Sequence, residues 1–156
     1  PMGAGHPLSG VLARAGLHDN SLQDERYFNT SGGNPVSCAV AHEVLRVIDD
    51  EGLVENAAEV GQYVLQGLVD LRSRHKCIGD VRGNGLFFAI ELVRNRETKE
   101  PDANEANRVV NAMRHKGILM SRIGVHDNVL KLRPPLCFSK QNADFLIGAL
   151  DDVLAN

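Results

Sequence analysis

Thr30-Ser31-Gly32-Gly33-Asn34-Pro35 puts two hydroxyls, two glycines, a helix cap and a helix-starting proline in consecutive positions. Asn34 suits the N-cap, where its side-chain oxygen takes one of the free N–H groups of the first turn. Pro35 suits the first helical position, because the amide hydrogen it lacks has no partner there and its φ is already set. Val36, Val40, Val44, Val47 and Ile48 follow at helical spacing. A glycine-flexible loop that feeds a helix N-terminus, with hydroxyls just upstream, suits a phosphate or another anion. The same residues equally describe a capped helix after a mobile loop, and a short glycine motif alone does not choose between the two.

The rest of the chain narrows the function classes. Its 156 residues are enough for a domain with its own core, and a hydrophobic share of 43% is ordinary for a globular protein. A net charge of −3 gives no reason to expect nucleic acid or an anionic membrane surface as partner. No apolar run approaches the roughly 20 residues that span a bilayer. Cys38, Cys77 and Cys137 are odd in number and widely spaced, which fits a reduced, cytoplasmic protein rather than a disulfide scaffold. His6, His18, His42, His75, His115 and His126 are scattered, with no pair at ligand spacing on one helix face, so no metal site is expected.

Periodicity predicts a helix from Pro35 to Asp50, stopped at Gly52, and a second from Leu53 with Val60, Val64, Leu68 and Leu71 on one face. The basic group Arg72, Arg74, His75 and Lys76 complements the negative end of the second helix. Ile78–Arg82 and Leu86–Val93 read as strands paired through the Gly83-Asn84-Gly85 turn. Asn95 to Pro101 reads as a polar loop. A helix is expected from Asp102 to Lys116, with Ala106, Val109, Val110 and Met113 inward and Gly117 closing it. Ile118–Ser121 and Val129–Leu132 read as two short strands joined by a loop over 122–128, with Pro134-Pro135 ending the second. Ser139 should cap a last helix with Phe145, Leu146, Leu150 and Val153 on its apolar side. Near the start, Val11-Leu12-Ala13 reads as a strand between turns. The expected fold is α/β (α+β): a small, mostly antiparallel sheet covered by helices.

Four segments occur in a telling order: Pro1-Met2-Gly3-Ala4-Gly5-His6-Pro7, then Thr30 to Pro35, then Val81-Arg82-Gly83-Asn84-Gly85-Leu86-Phe87, then Val129-Leu130-Lys131-Leu132-Arg133-Pro134-Pro135-Leu136. Together they resemble the C-terminal part of class III pyridoxal-phosphate (PLP) aminotransferases, most closely the branch of ethanolamine-phosphate and phosphohydroxylysine phospho-lyases. The resemblance runs from Pro1 to about Leu154. It implies the small C-terminal domain of a fold-type I PLP enzyme over 35–156, preceded over 1–34 by a strand-and-loop remnant of the large PLP-binding domain. It also implies that the Schiff-base lysine stands immediately before Pro1, so these residues by themselves carry no catalytic group and should be inactive alone.

The resemblance assigns roles residue by residue. Thr30, with Ser31, would donate to the PLP phosphate of the neighbouring subunit, assisted by backbone amides from Ser31 to Asn34. That arrangement requires a homodimer with two equivalent sites. Arg82 is expected to serve structure, capping or bridging between domains, and His6 to lie near the cofactor. Lys131 and Arg133 are the candidate substrate contacts. Many relatives have arginine where Lys131 stands, and lysine cannot make the two-pronged carboxylate bond that arginine makes. A lysine suits a phosphate-bearing amine instead, while two residues on one strand face pointing to solvent is the plain alternative. The implied activity is amino-group transfer from an amine or amino acid to a keto acid. The alternatives are phosphate elimination on the same cofactor, or a non-catalytic oligomerisation or binding domain.

Overall fold

A computed structural model describes residues 2–17 and 28–155; Pro1, the segment 18–27 with His18, and Asn156 lie outside the described residues. Internal contacts divide the chain into two compact units, Pro1–Glu51 and Gly52–Asn156.

The first unit is built on helix α1 (Pro35–Asp50). Asn34 caps it as its chemistry requires: the backbone is extended at φ −61° and ψ 143°, and the side chain accepts the Ser37 N–H at 2.9 Å. No residue of α1 is buried. Upstream, the His6 N–H donates to the Gly3 carbonyl at 2.9 Å, closing a tight turn. The His6 Nε2 lies 2.9 Å from the Ser37 hydroxyl, so this turn is tied to the first turn of α1. The strand expected over Val11–Ala13 does not form. Among the described residues they have no ladder partner, and Val11 and Leu12 are 85% and 97% exposed.

In the second unit, Gly52 stands in the left-handed region at φ +59°, which stops α1 and starts helix α2 (Leu53–Arg74). Strands β1 (Ile78–Asn84), β2 (Phe87–Asn95), β3 (Glu100–Pro101), β4 (Ser121–Ile123) and β5 (Val129–Leu132) follow, with helices α3 (Ala103–His115) and α4 (Lys140–Ala155). The sheet runs in the order β1-β2-β5-β4, with β3 on β2, and every pairing is antiparallel. Phe88, Ile90 and Leu92 of β2 alternate inward and are buried against Val64, Leu68 and Leu71 of α2 and Val109 and Met113 of α3. Helices α2 and α3 cover this face, and α4 packs on both through Leu146, Leu150 and Val153. A bulge at Gly79 lets Ile78 and Val81, three residues apart, both face the core.

Three local expectations are corrected. The stretch from Asn95 to Pro101 is a tight hairpin ending in β3, because the Asn95 side chain accepts the N–H groups of Glu97 and Thr98 at 2.7 and 3.2 Å and turns the chain back on β2. The strand expected over Ile118–Ser121 is displaced to Ser121–Ile123, because Ile118 and Met120 pack against the core instead of entering the ladder. Phe145 is 60% exposed, although it belongs to an amphipathic helix whose Leu146 is buried. The C-terminal carbonyls of α2 are met by Arg96, besides the basic group that complements the dipole. Its guanidinium donates to the carbonyls of Ile78 at 2.9 Å, His75 at 2.6 Å and Arg72.

Two consequences can be measured. Gly61, in the interior of α2, lies so close to the hairpin that a Cβ would stand 2.3 Å from the Gly85 carbonyl oxygen. An exposed helical Gly→Ala change stabilises by up to about 1 kcal/mol, but here a backbone atom must move, and overpacking costs about 1–3 kcal/mol. Gly61→Ala should therefore lower the midpoint of chemical denaturation rather than raise it. The second consequence concerns acid. Asp151 of α4 accepts from His75 at 2.6 Å and from Arg74, and these bonds, that of His75 foremost, hold its carboxyl below the usual aspartate range. A depressed carboxylate contributes stability above its unfolded pKa of about 3.9 and loses it as pH falls through the folded value. Asp151→Asn should flatten the loss of stability below about pH 4 in acid unfolding curves.

Candidate functional site

Thr30 and Ser31 sit in an exposed turn that leads into the capped start of α1. Asn29 organises that turn: its Oδ1 accepts the N–H of Ser31 at 3.2 Å and of Gly32 at 2.9 Å. Asn34 binds the Ser31 carbonyl through Nδ2 at 2.9 Å while capping the helix through Oδ1. The amides of Ser31 and Gly32, expected as donors to an anion, are thus already held by Asn29. Thr30 and Ser31, both exposed, bring two hydroxyls to a turn that two asparagines brace at a helix N-terminus. That donor set fits a phosphate.

Lys131 belongs to the second unit. Alternation along β5 sends Leu130 and Leu132 into the core, both nearly fully buried, and leaves Lys131 half-buried on the opposite face. There it is flanked in register by Ala89 of β2 and Ser121 of β4. Asp80, Arg82 and Glu91 share this uncovered face. Arg82 donates to Asp80 at 2.6 Å and to Glu91 at 3.2 Å, so this trio satisfies itself; Arg82 is a structural bridge within the sheet. Among the described residues no carboxylate lies within ion-pairing distance of Lys131.

Arg133 falls beyond the end of β5, where Pro134 stops the ladder. It lines an apolar cleft of about 350 Å³ with Leu119, Leu132, Phe138 and Phe145, and Lys131 is not part of that cleft. The structure therefore separates Lys131 from Arg133, and Thr30 and Ser31 belong to a different unit from both. Burial, more than the nearby Glu105, pushes the Cys77 thiol up and keeps it protonated, against a role as nucleophile. No cluster of histidine, cysteine and carboxylate side chains suited to a metal occurs among the described residues.

One residue escaped sequence reasoning. Asn128 is 3% exposed at the entrance to β5. Its carbonyl accepts the Leu92 N–H at 2.8 Å, and its side-chain Nδ2 donates to the Leu92 carbonyl at 2.8 Å. The only sequence signal was a polar pair, Asp127-Asn128, directly before an apolar run.

The chain is 45% identical to ethanolamine-phosphate phospho-lyase homolog 1 of Caenorhabditis elegans over 155 residues, covering 99% of this chain and 33% of that protein. It is 48% identical over 155 residues to an alanine–glyoxylate aminotransferase 2-like protein of Drosophila melanogaster, covering 95% of this chain and 31% of that protein. Among solved structures it is similar to a phospholyase from Arthrobacter in complex with phosphoethanolamine, with TM-score 0.95 and 42% identity, covering all of this chain and 37% of that one. The chain thus spans about a third of the length of these relatives. The sheet with α2, α3 and α4 is the mixed α/β architecture expected of the family's C-terminal region. Matched over residues 1–154, the chain belongs to the class III aminotransferase family.

Proposed function

We propose that this chain is the C-terminal part of a PLP-dependent, homodimeric enzyme that takes the amino group of an amine or amino acid and delivers it to a keto acid. The observation that carries the reading is the exposed Thr30–Ser31 hydroxyl pair at the capped start of α1, in a chain aligned with the family along its length. When bound, pyridoxal phosphate supplies the electron sink at the reacting carbon. The part played by these residues is to hold and orient. Thr30, with Ser31, donates to the cofactor phosphate of the neighbouring subunit. Lys131 meets the anionic group of the substrate as a point charge from the open face of the sheet. The lysine that holds the cofactor covalently belongs to the large domain, of which 1–34 is a part and to which 35–156 is the small C-terminal partner. The three free cysteines support a reducing compartment such as the cytoplasm.

A second reading, phosphate elimination from a phosphorylated amine, is favoured by a specific residue. Lys131 stands where many relatives have a carboxylate-clamping arginine; its ammonium cannot make that fork but can bind a phosphate as a point charge. The likeness to the Arthrobacter phospholyase supports this reading too. Product analysis of the full-length protein separates the two. Inorganic phosphate released from phosphoethanolamine without a keto acid supports elimination; keto-acid-dependent formation of a new amino acid supports transfer.

Two outcomes test the residues. In the full-length protein Thr30→Ala removes one charge-assisted bond, so the dissociation constant for PLP, read by absorbance titration, should rise about 10- to 100-fold. An unchanged constant would remove Thr30 from the site. Lys131→Ala should raise KM for the true substrate about tenfold or more, the effect of losing one charged hydrogen bond. An unchanged KM across candidate amines would remove Lys131.

A further inference from the structure

We infer that Asn128 is a positioning residue: it sets the register of β5 and thereby presents Lys131 on the open face of the sheet. The inference rests on the reading of Lys131 as a substrate contact. Strand β5 is only four residues long, and its sequence Val129-Leu130-Lys131-Leu132 has apolar residues on both faces. A slip of one residue would exchange the faces, carrying Lys131 inward and Leu130 and Leu132 outward. Within the strand the buried Leu130 and Leu132 and the ladders to β2 and β4 oppose a slip, whereas the chain before it offers little support. The Gly124–Asp127 turn carries a 97% exposed Val125, and Asp127 is forced to φ +51°.

Asn128 supplies a restraint at the entrance to the strand. It lies on the same alternation as Leu130 and Leu132, so its side chain enters the core side of the sheet. With its carbonyl and its amide group it takes both polar groups of one residue, Leu92 of β2, each at 2.8 Å. A regular antiparallel pair exchanges two backbone bonds; here the second is made by the Asn128 side-chain amide. The Leu92 carbonyl also receives the N–H of Asp102, the N-cap of α3, at 3.1 Å, so the anchor point is itself fixed from a second element. From Asn128 the register counts directly to Glu91↔Val129, Ile90↔Leu130 and Ala89↔Lys131.

The test is a double-mutant cycle in the full-length protein: wild type, Asn128→Ala, Lys131→Ala and the double variant. The readouts are the calorimetric dissociation constant of phosphoethanolamine for the cofactor-free protein, KM and kcat of the loaded enzyme, and amide hydrogen exchange over β5. Asn128→Ala should weaken binding and raise KM about tenfold, the effect of losing a buried bond, with kcat nearly unchanged and faster exchange at β5. In the Lys131→Ala background the same change should alter binding and KM no further. Asn128→Ser, which shortens the donor without emptying the site, takes the place of Asn128→Ala if that variant does not fold. Unchanged binding with a lowered melting temperature, or additive effects in the cycle, would overturn the inference and leave Lys131 in the site. If Lys131→Ala alone changes neither binding nor KM, the reading of Lys131 fails and the inference falls with it.

Discussion

Everything in the second unit is arranged around the inward row of β2. Phe88, Ile90 and Leu92 are each 1% exposed or less, and burying each such side chain contributes about 1.5–3 kcal/mol. To bury them, α2 and α3 must lie across the sheet, and α4 must fill the groove between those helices. The row also sets what the opposite face can be. With period two, the residues between, Ala89 and Glu91, must face away from the helices, and their partners on β1 and β5 face the same way. That second face carries Asp80, Arg82, Glu91 and Lys131 beside the buried Val129.

Close backbone approach is the second constraint. Helix α2 reaches the β1–β2 hairpin because Gly61 has no Cβ to meet the Gly85 carbonyl. Gly85, at φ +52°, makes the turn that brings that carbonyl there. The far end of α2 is held by polar groups instead: Arg96 on its last carbonyls, and Asp151 with His75 and Arg74. One long helix is thus fixed near its middle by the absence of side-chain volume and at its C-terminal end by charge.

Helices and their caps were legible because their signals are local. Asn34-Pro35, Asp102 and Ser139 each satisfy amides within three residues, and the apolar faces of α2 and α3 repeat at helical spacing. Short strands were less legible. Ile118-Leu119-Met120 has strand-like composition, yet its side chains are needed against the core, and the ladder begins one turn of alternation later at Ser121. Val11-Leu12-Ala13 fails for the opposite reason, since no described residue of the first unit pairs with it and Val11 and Leu12 stay exposed. In the candidate site, Thr30, Ser31 and Lys131 were legible as residue types in ordered motifs. That Asn29 takes two of the loop's amides was not, because a side chain's choice among nearby amides depends on backbone angles that spacing does not reveal.

The sequence by itself determined the family, through four motifs in order, and with it the α/β class, the helix boundaries and the chemistry of the candidate donors. These depend on residue type and short spacing, which the chain carries along its length. Only the tertiary structure decided that Arg133 leaves the ladder for an apolar cleft while Lys131 stays on the open face, although just one residue separates them. It alone showed that Asn128, an unremarked polar residue, holds Leu92 through both of that residue's backbone groups. The physical reason is the same in each case. Which face a residue occupies is set by the register between strands distant in sequence, and register is a property of paired backbones that neither strand contains alone.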